Sequence, residues 1–263
     1  MIRPRHVLGN KKGMVLKTVI AAAIAWAALG ATGSALAQAS APDTASIVKE
    51  VMDDTYGQTY DAKNACWAFT WKDDQGESAD YCMRASAPQV VDGPKGKLLY
   101  FYSYNATDIR GDTRYGYSQV QPGLMGAFKL RLGGKQGWTY EASEAATDYG
   151  TAGDCGCTRA RFVKLSNAGD YGWLFVSGGT WQGVSVADYS LVAAIKGRIT
   201  DISKIPQVTE KAQGVTYTAT VKDDPTAKGF YPLHVVKKSA GTSEEFDVPF
   251  DAAKSVYALP AGR

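Results

Sequence analysis

The 263-residue chain sets 29 Lys and Arg against 26 Asp and Glu, for a formal net charge of +3, and is 45% hydrophobic and 11% aromatic. Five of the basic residues and none of the acidic ones precede position 38, so the remainder is near −2. Without a basic stripe it has no electrostatic basis for binding nucleic acid or an anionic membrane surface.

Those five residues (Arg3, Arg5, Lys11, Lys12, Lys17) form a basic region ahead of an apolar run from Val19 to Leu29. Small residues follow, ending in Ala35-Leu36-Ala37. This layout predicts a secretory signal peptide over residues 1–37. The run is short of the ~20 apolar residues that span a bilayer, so no membrane span is expected after cleavage. The address implied is the periplasm, with secretion as the alternative. About 226 residues remain, enough for one large domain or a domain with an annex.

Asp43 or Thr44 caps a predicted short helix in "DTASIVKEVMDDTYG", with Ile47, Val48, Val51 and Met52 at helical spacing. Period two then takes over. "CWAFTW" and "ADYCMRA", separated by the polar "KDDQGES", predict a hairpin over 64–86. "KLLYFYSYN" alternates Tyr100, Tyr102 and Tyr104 against Leu99, Phe101 and Ser103. "GAFKLRL" and "GWTYEA" read as further strands, and 143–158 reads as the longest irregular stretch. "YGWLFVSGG" is apolar on both faces, as in a central buried strand. "YSLVAAIKGRITDISKIP" suits a helix by composition, but the Lys196-Gly197 break favours a hairpin.

Ile205-Pro206 marks an expected boundary. Beyond it "VTYTATVK", "FYPLHVVKK" and "EEFDVPFD" alternate as strands, with Pro232 and Pro249 placed on edges. The expected architecture is mainly β, an antiparallel sandwich or barrel with one short N-terminal helix. Residues 38–205 form the main domain and 206–263 a small β annex.

The order of the blocks "KLLYFYS", "PGLMGAFKL", "GWTYEA", "YGWLFVSGGTWQG" and "AAIKGRITDISKIP" resembles a broad set of exported proteobacterial proteins of unassigned function, over about residues 97–206. The resemblance implies an exported, β-rich domain. It carries no residue roles.

Catalytic signatures are scarce. After the leader, His234 is the single histidine, which excludes His-rich zinc sites, and a Ser-His-Asp triad would have to use it. No nucleophile elbow, phosphate loop or dinucleotide fingerprint occurs, so no cofactor is expected. Acids for a two-carboxylate glycosidase are plentiful: Asp73, Asp74, Glu77, Glu141, Glu144, Asp148, Asp154, Asp170 and Asp188. "DDQGE" itself reads as a polar hairpin loop.

Four cysteines remain, Cys66, Cys82, Cys155 and Cys157, at spacings unlike those of zinc sites. Cys66 and Cys82 are symmetric about Asp74 and would face each other across the hairpin. Cys155 and Cys157 either pair with each other, at about 6.7 Å between Cα atoms in an extended strand, or cross to the hairpin pair. Local pairing near Arg159 and Arg161 would suit a thiol-disulfide centre, and the crossed forms a staple. The leading expectation is a non-catalytic binding or structural module, with a ligand or an envelope protein held through aromatics: Tyr100, Tyr102, Tyr104 and Trp181, with Trp67, Trp71, Tyr115 and Tyr117 in support. An envelope carbohydrate hydrolase and a thiol-disulfide protein are the alternatives.

Overall fold

The computed structural model describes residues 43–262, and the predicted leader lies outside them. Helix α1 (Thr44–Tyr56) comes first. The Asp43 side chain accepts the Ser46 N–H at 3.3 Å, and Gly57 at φ 77 ends the helix. Ile47, Val48, Val51, Met52 and Tyr56 form one buried stripe.

The strands of the first sheet are β1 (Tyr60–Asp61), β2 (Cys66–Lys72), β3 (Ser78–Ala85), β4 (Gln89–Gly93), β5 (Gly96–Asn105), β6 (Gly123–Leu132) and β7 (Trp138–Tyr149). Their spatial order is β1-β2-β3-β5-β6-β7, with β4 also on β5. The second sheet takes β8 (Arg161–Lys164), β9 (Tyr171–Trp181), β10 (Val184–Ile195), β11 (Arg198–Asp201) and β12 (Ser203–Val208). A three-stranded meander follows: β13 (Val215–Val221), β14 (Leu233–Ser239) and β15 (Thr242–Val248). Finally β16 (Tyr257–Ala258) returns to the second sheet, parallel to β12.

Alternation along the strands stacks these elements in layers. From β5, Leu99 and Phe101 pack under α1, while Leu98 and Tyr100 face the second sheet. From β9, Trp173 and Phe175 face the first sheet, and Leu174 joins Tyr217, Leu233 and Val235 of the third. The order is therefore helix, sheet, sheet, sheet. Two of the sheets are covered on both faces, which is why their strands read as nearly continuous apolar runs.

In both covered sheets one long strand serves two short neighbours on the same edge. Along β5 these are β3 and β4; along β10 they are β12 and β11. Each break leaves a central-strand N–H without a ladder partner, and a side chain takes over. Ser86 Oγ accepts the Tyr102 N–H at 3.0 Å. Asp201 Oδ1 accepts the N–H groups of Leu191 and Ser203, each at 3.0 Å.

Several local expectations change. The β2–β3 register pairs Ala68 with Cys82, so Cys66 and Cys82 are diagonal neighbours, bridged at 5.4 Å between Cα atoms. The turn is centred one residue later than symmetry about Asp74 requires. Gly76 donates to the Asp73 carbonyl and takes φ 89, closing a three-residue loop with glycine in the left-handed position. Strand β7 runs on through Tyr149, with register shifts against β6, so half of the expected irregular stretch is strand. Strand β4 was not anticipated from the sequence. The hairpin at Lys196-Gly197 forms, with both residues at positive φ. Pro232 and Pro249 lie just outside β14 and β15 rather than within edge strands. Strand β12 continues through Ile205-Pro206, and Pro206 sits where its register with β10 shifts.

Candidate functional site

The long connection from β5 to β6, residues 106–122, contains one short 3-10 turn (Thr113–Tyr115). Loops of more than about 12–15 residues are usually functional or disordered, and this one is pinned. Its first half covers the Cys66–Cys82 disulfide, where Tyr115 and Ala106 pack on the two buried cysteines. Its second half is tied to the segment carrying the other cysteines. Ala152 donates to the Gln119 carbonyl at 3.3 Å, and Gly153 donates to the Gln121 carbonyl at 3.0 Å. Asn105, 1% exposed, completes the tie: its Nδ2 donates to the Gly153 carbonyl, and its Oδ1 accepts the Leu124 N–H.

Cys155 and Cys157 pair with each other, 5.1 Å apart at Cα, so the pairing is local at both sites. Gly156 at φ 70 makes the kink this requires, and a Cβ there would lie 2.0 Å from the Val176 carbonyl oxygen. Both cysteines are essentially unexposed within the layer between the first two sheets. Arg159 reaches Asp154 at 3.5 Å, and Asp154 also accepts the Gly156 N–H at 2.8 Å. A reductant reaches these sulfurs only after the segment lifts from β9.

Opposite the pinned loop stands the tip of the β2–β3 hairpin, and a cleft of about 610 Å³ opens between them. Trp71, half-buried, forms one wall, and Tyr81 forms the floor, its ring edge-on to the indole at 6.2 Å. Tyr81 stacks on Tyr117 of the loop at 5.1 Å and donates its hydroxyl to the Pro122 carbonyl at 3.1 Å. Burial raises its pKa to about 12, with Tyr117, Asp148 and Asp73 adding to the rise, so it stays a neutral donor. Asp73 and Glu77 stand at the rim. They close the turn as a pair, with the Asp73 N–H donating to the Glu77 carbonyl at 3.0 Å. Asp73 Oδ1 accepts the N–H groups of Gln75 and Glu77. Gln121 lines the loop side, its own Oε1 accepting the Ser118 N–H, and Val120, 70% exposed, tops it.

The aromatic residues singled out from the sequence are dispersed. Tyr100 is 1% exposed, packed among Phe162, Tyr171 and Trp173. Tyr102 and Tyr104 are half-buried on the same inter-sheet side, 6.0 Å apart. Trp181 stands 45% exposed at the tip of the β9–β10 hairpin. Of the supporting aromatics, Trp71 lines the cleft, and Tyr117 stacks on Tyr81 at its floor.

Several of the candidate acids have local work. Glu141 is bridged by Lys129 and Arg131, Asp170 accepts from Ser166, and Asp154 serves the Gly156 turn. His234 is held between Asp247 at 3.1 Å and Glu245 at 3.6 Å, two acids rather than an acid and a serine. Among the described residues no group of three or more His, Cys, Asp or Glu side chains is placed to hold a metal ion. No helix among them is long and apolar enough to cross a membrane. The pinned loop, with Val120, Gln121 and its anchor Asn105, escaped sequence reasoning; its length between two strong strands was the available signal. Comparison with protein-family models, with curated proteins and with solved structures finds no match.

Proposed function

We propose that this is an exported protein that takes a neutral carbohydrate of the cell envelope in the cleft between the β2–β3 turn and the 106–122 loop. The observation that carries this reading is the lining. An indole wall stands beside two carboxylates and two glutamines, Gln75 and Gln121, with no Lys or Arg among the described lining residues. Sugar hydroxyls donate to carboxylate and amide oxygens, and the apolar face of a pyranose ring stacks on an indole. Export to the periplasm, with secretion as the alternative, is supported by the leader-like N-terminus, by two disulfides and by the resemblance to exported proteobacterial proteins.

A second reading, hydrolysis, is favoured by the opposition of Asp73 and Glu77 across the turn, since a glycosidase needs two carboxyl groups flanking one bond. Asp73 would keep Oδ1 on the turn and offer its other oxygen. One set of experiments separates the readings: retention and reducing-end release on neutral envelope polysaccharides. The expected result is retention by the wild type and at least about tenfold weaker retention for Trp71→Ala. Release that disappears in Glu77→Gln while retention persists assigns hydrolysis; retention without release assigns binding alone. Absence of retention, or retention indifferent to Trp71→Ala, refutes the carbohydrate reading.

A further inference from the structure

At the opposite edge of the first sheet, α1 and the start of β7 form a second site of different chemistry. Trp138 and Tyr140, two apart on β7, project to the same side. On α1, Glu50 and Asp54 are four apart. Two strand residues advance about 6.6 Å and four helical residues about 6 Å, so the two pairs meet in register. The Trp138 indole N–H donates to Glu50 Oε2 at 3.0 Å, and the Tyr140 hydroxyl donates to Asp54 Oδ2 at 2.9 Å.

Both hydrogen bonds leave from the edges of the rings; Trp138 packs in part against the core beside α1, the two rings meet edge to face, and the remaining ring surface borders a cavity. The rings stand 5.1 Å apart between centroids at 89°, two perpendicular walls. They line a cavity of about 440 Å³ together with Glu50, Gln136 and Thr139, and Tyr140 is 39% exposed. The third acid on this part of the helix, Asp53, is paired with Lys49 at 2.5 Å. Among the described residues Glu50 and Asp54 have no cationic partner; their bonds go to the two aromatic residues.

We infer that this pocket binds a small organic cation carrying a methylated or quaternary ammonium group. Aromatic faces attract a cation through their quadrupole, most strongly one that gives up its water readily, and the two unneutralised carboxylates supply the long-range charge. A bare metal ion is a poor fit, because two carboxylates already accepting hydrogen bonds leave too few oxygen ligands. The site is independent of the carbohydrate cleft.

The test is calorimetric titration of the full protein with choline and with 3,3-dimethylbutanol, its uncharged isostere of the same shape. Saturable binding of choline and none of the isostere is expected. Trp138→Ala should weaken choline binding by about tenfold or more, and Glu50→Gln by about threefold. Glu50 is exposed, so Glu50→Gln keeps the test decisive should Trp138→Ala disturb the packing of α1. Trp71→Ala should leave choline binding unchanged. Absence of saturable choline binding, equal binding of the isostere, or binding insensitive to both pocket variants overturns the proposal.

Discussion

Asp201 offers a sharp test of how the second sheet is held together. Its Oδ1 accepts two backbone N–H groups, from Leu191 on β10 and Ser203 on β12, at the point where β11 gives way to β12. Burial raises its pKa above the ordinary carboxyl value, against the opposing pull of the Ser203, Leu191 and Ser190 hydrogen bonds and of Lys204. The acceptor is therefore needed, but the charge is a burden. Asp201→Asn keeps one oxygen with two lone pairs for both donors and removes the buried charge. Asp201→Ala orphans both donors, at about 1–3 kcal/mol each, or about 2–4 kcal/mol together after discounting for the partial exposure of the site. The asparagine variant should match or exceed the wild type at neutral pH.

The pH dependence has a definite sign. A carboxyl whose folded pKa is raised binds its proton more tightly in the folded state, so wild-type stability falls as pH rises from the ordinary value of 3.8 through the raised one. In Asp201→Asn that fall is absent, and its advantage over the wild type grows across the same window. Urea denaturation followed by tryptophan fluorescence at about pH 4 and about pH 7, with unchanged slopes, measures both effects. If asparagine costs as much as alanine, the charge itself is essential, through Lys204, and the reasoning fails. If alanine costs less than about 0.5 kcal/mol, water satisfies the two donors and the side chain is not the splice.

Two further outcomes follow from the cysteine segments. Gly156→Ala places a methyl group 2.0 Å from a backbone oxygen of β9 at a positive φ, and should cost more than about 3 kcal/mol, a fall in melting temperature of roughly 6–12 °C; a smaller fall means the segment is not seated against β9. Replacing Cys66 and Cys82 together by serine opens a closed loop of 16 residues' separation and should cost about 3 kcal/mol in calorimetry, while loop residue Tyr115 loses its packing partners; an unchanged melting temperature would refute this.

The layers were legible in the sequence because they rest on alternation. The two-faced apolar run of β9 announced a covered strand, and Val215, Tyr217 and Ala219 against three threonines announced the meander. Register was less legible. Symmetry about Asp74 says nothing of turn geometry, which the Asp73 side chain and Gly76 decide. Strand β4, with exposed Gln89 and Val90 and a proline after its last residue, has too little apolar pattern to be seen alone; β5 supplies its pairing. The site was less legible still. Tyr100, Tyr102 and Tyr104 were visible as a stripe, but which side a stripe faces depends on the sheet packed against it. The acids beside Trp71 lie close along the chain, but the loop that faces them across the cleft and the helix acids that meet Trp138 are some tens of positions away, with no local sign of the contact.

Both bridges join cysteines that are consecutive along the chain, Cys66 with Cys82 and Cys155 with Cys157. A chain entering an oxidising compartment amino end first presents these partners in order, each pair complete before the next arrives. Oxidation in sequence of appearance therefore yields the native pairing directly, and nothing has to be unmade by the slower exchange between mixed disulfides. The burial of all four sulfurs then acts as a lock, since a folded chain no longer offers them to a wandering thiol. A chain exported in this order would need an electron acceptor during its maturation and no disulfide-shuffling catalyst.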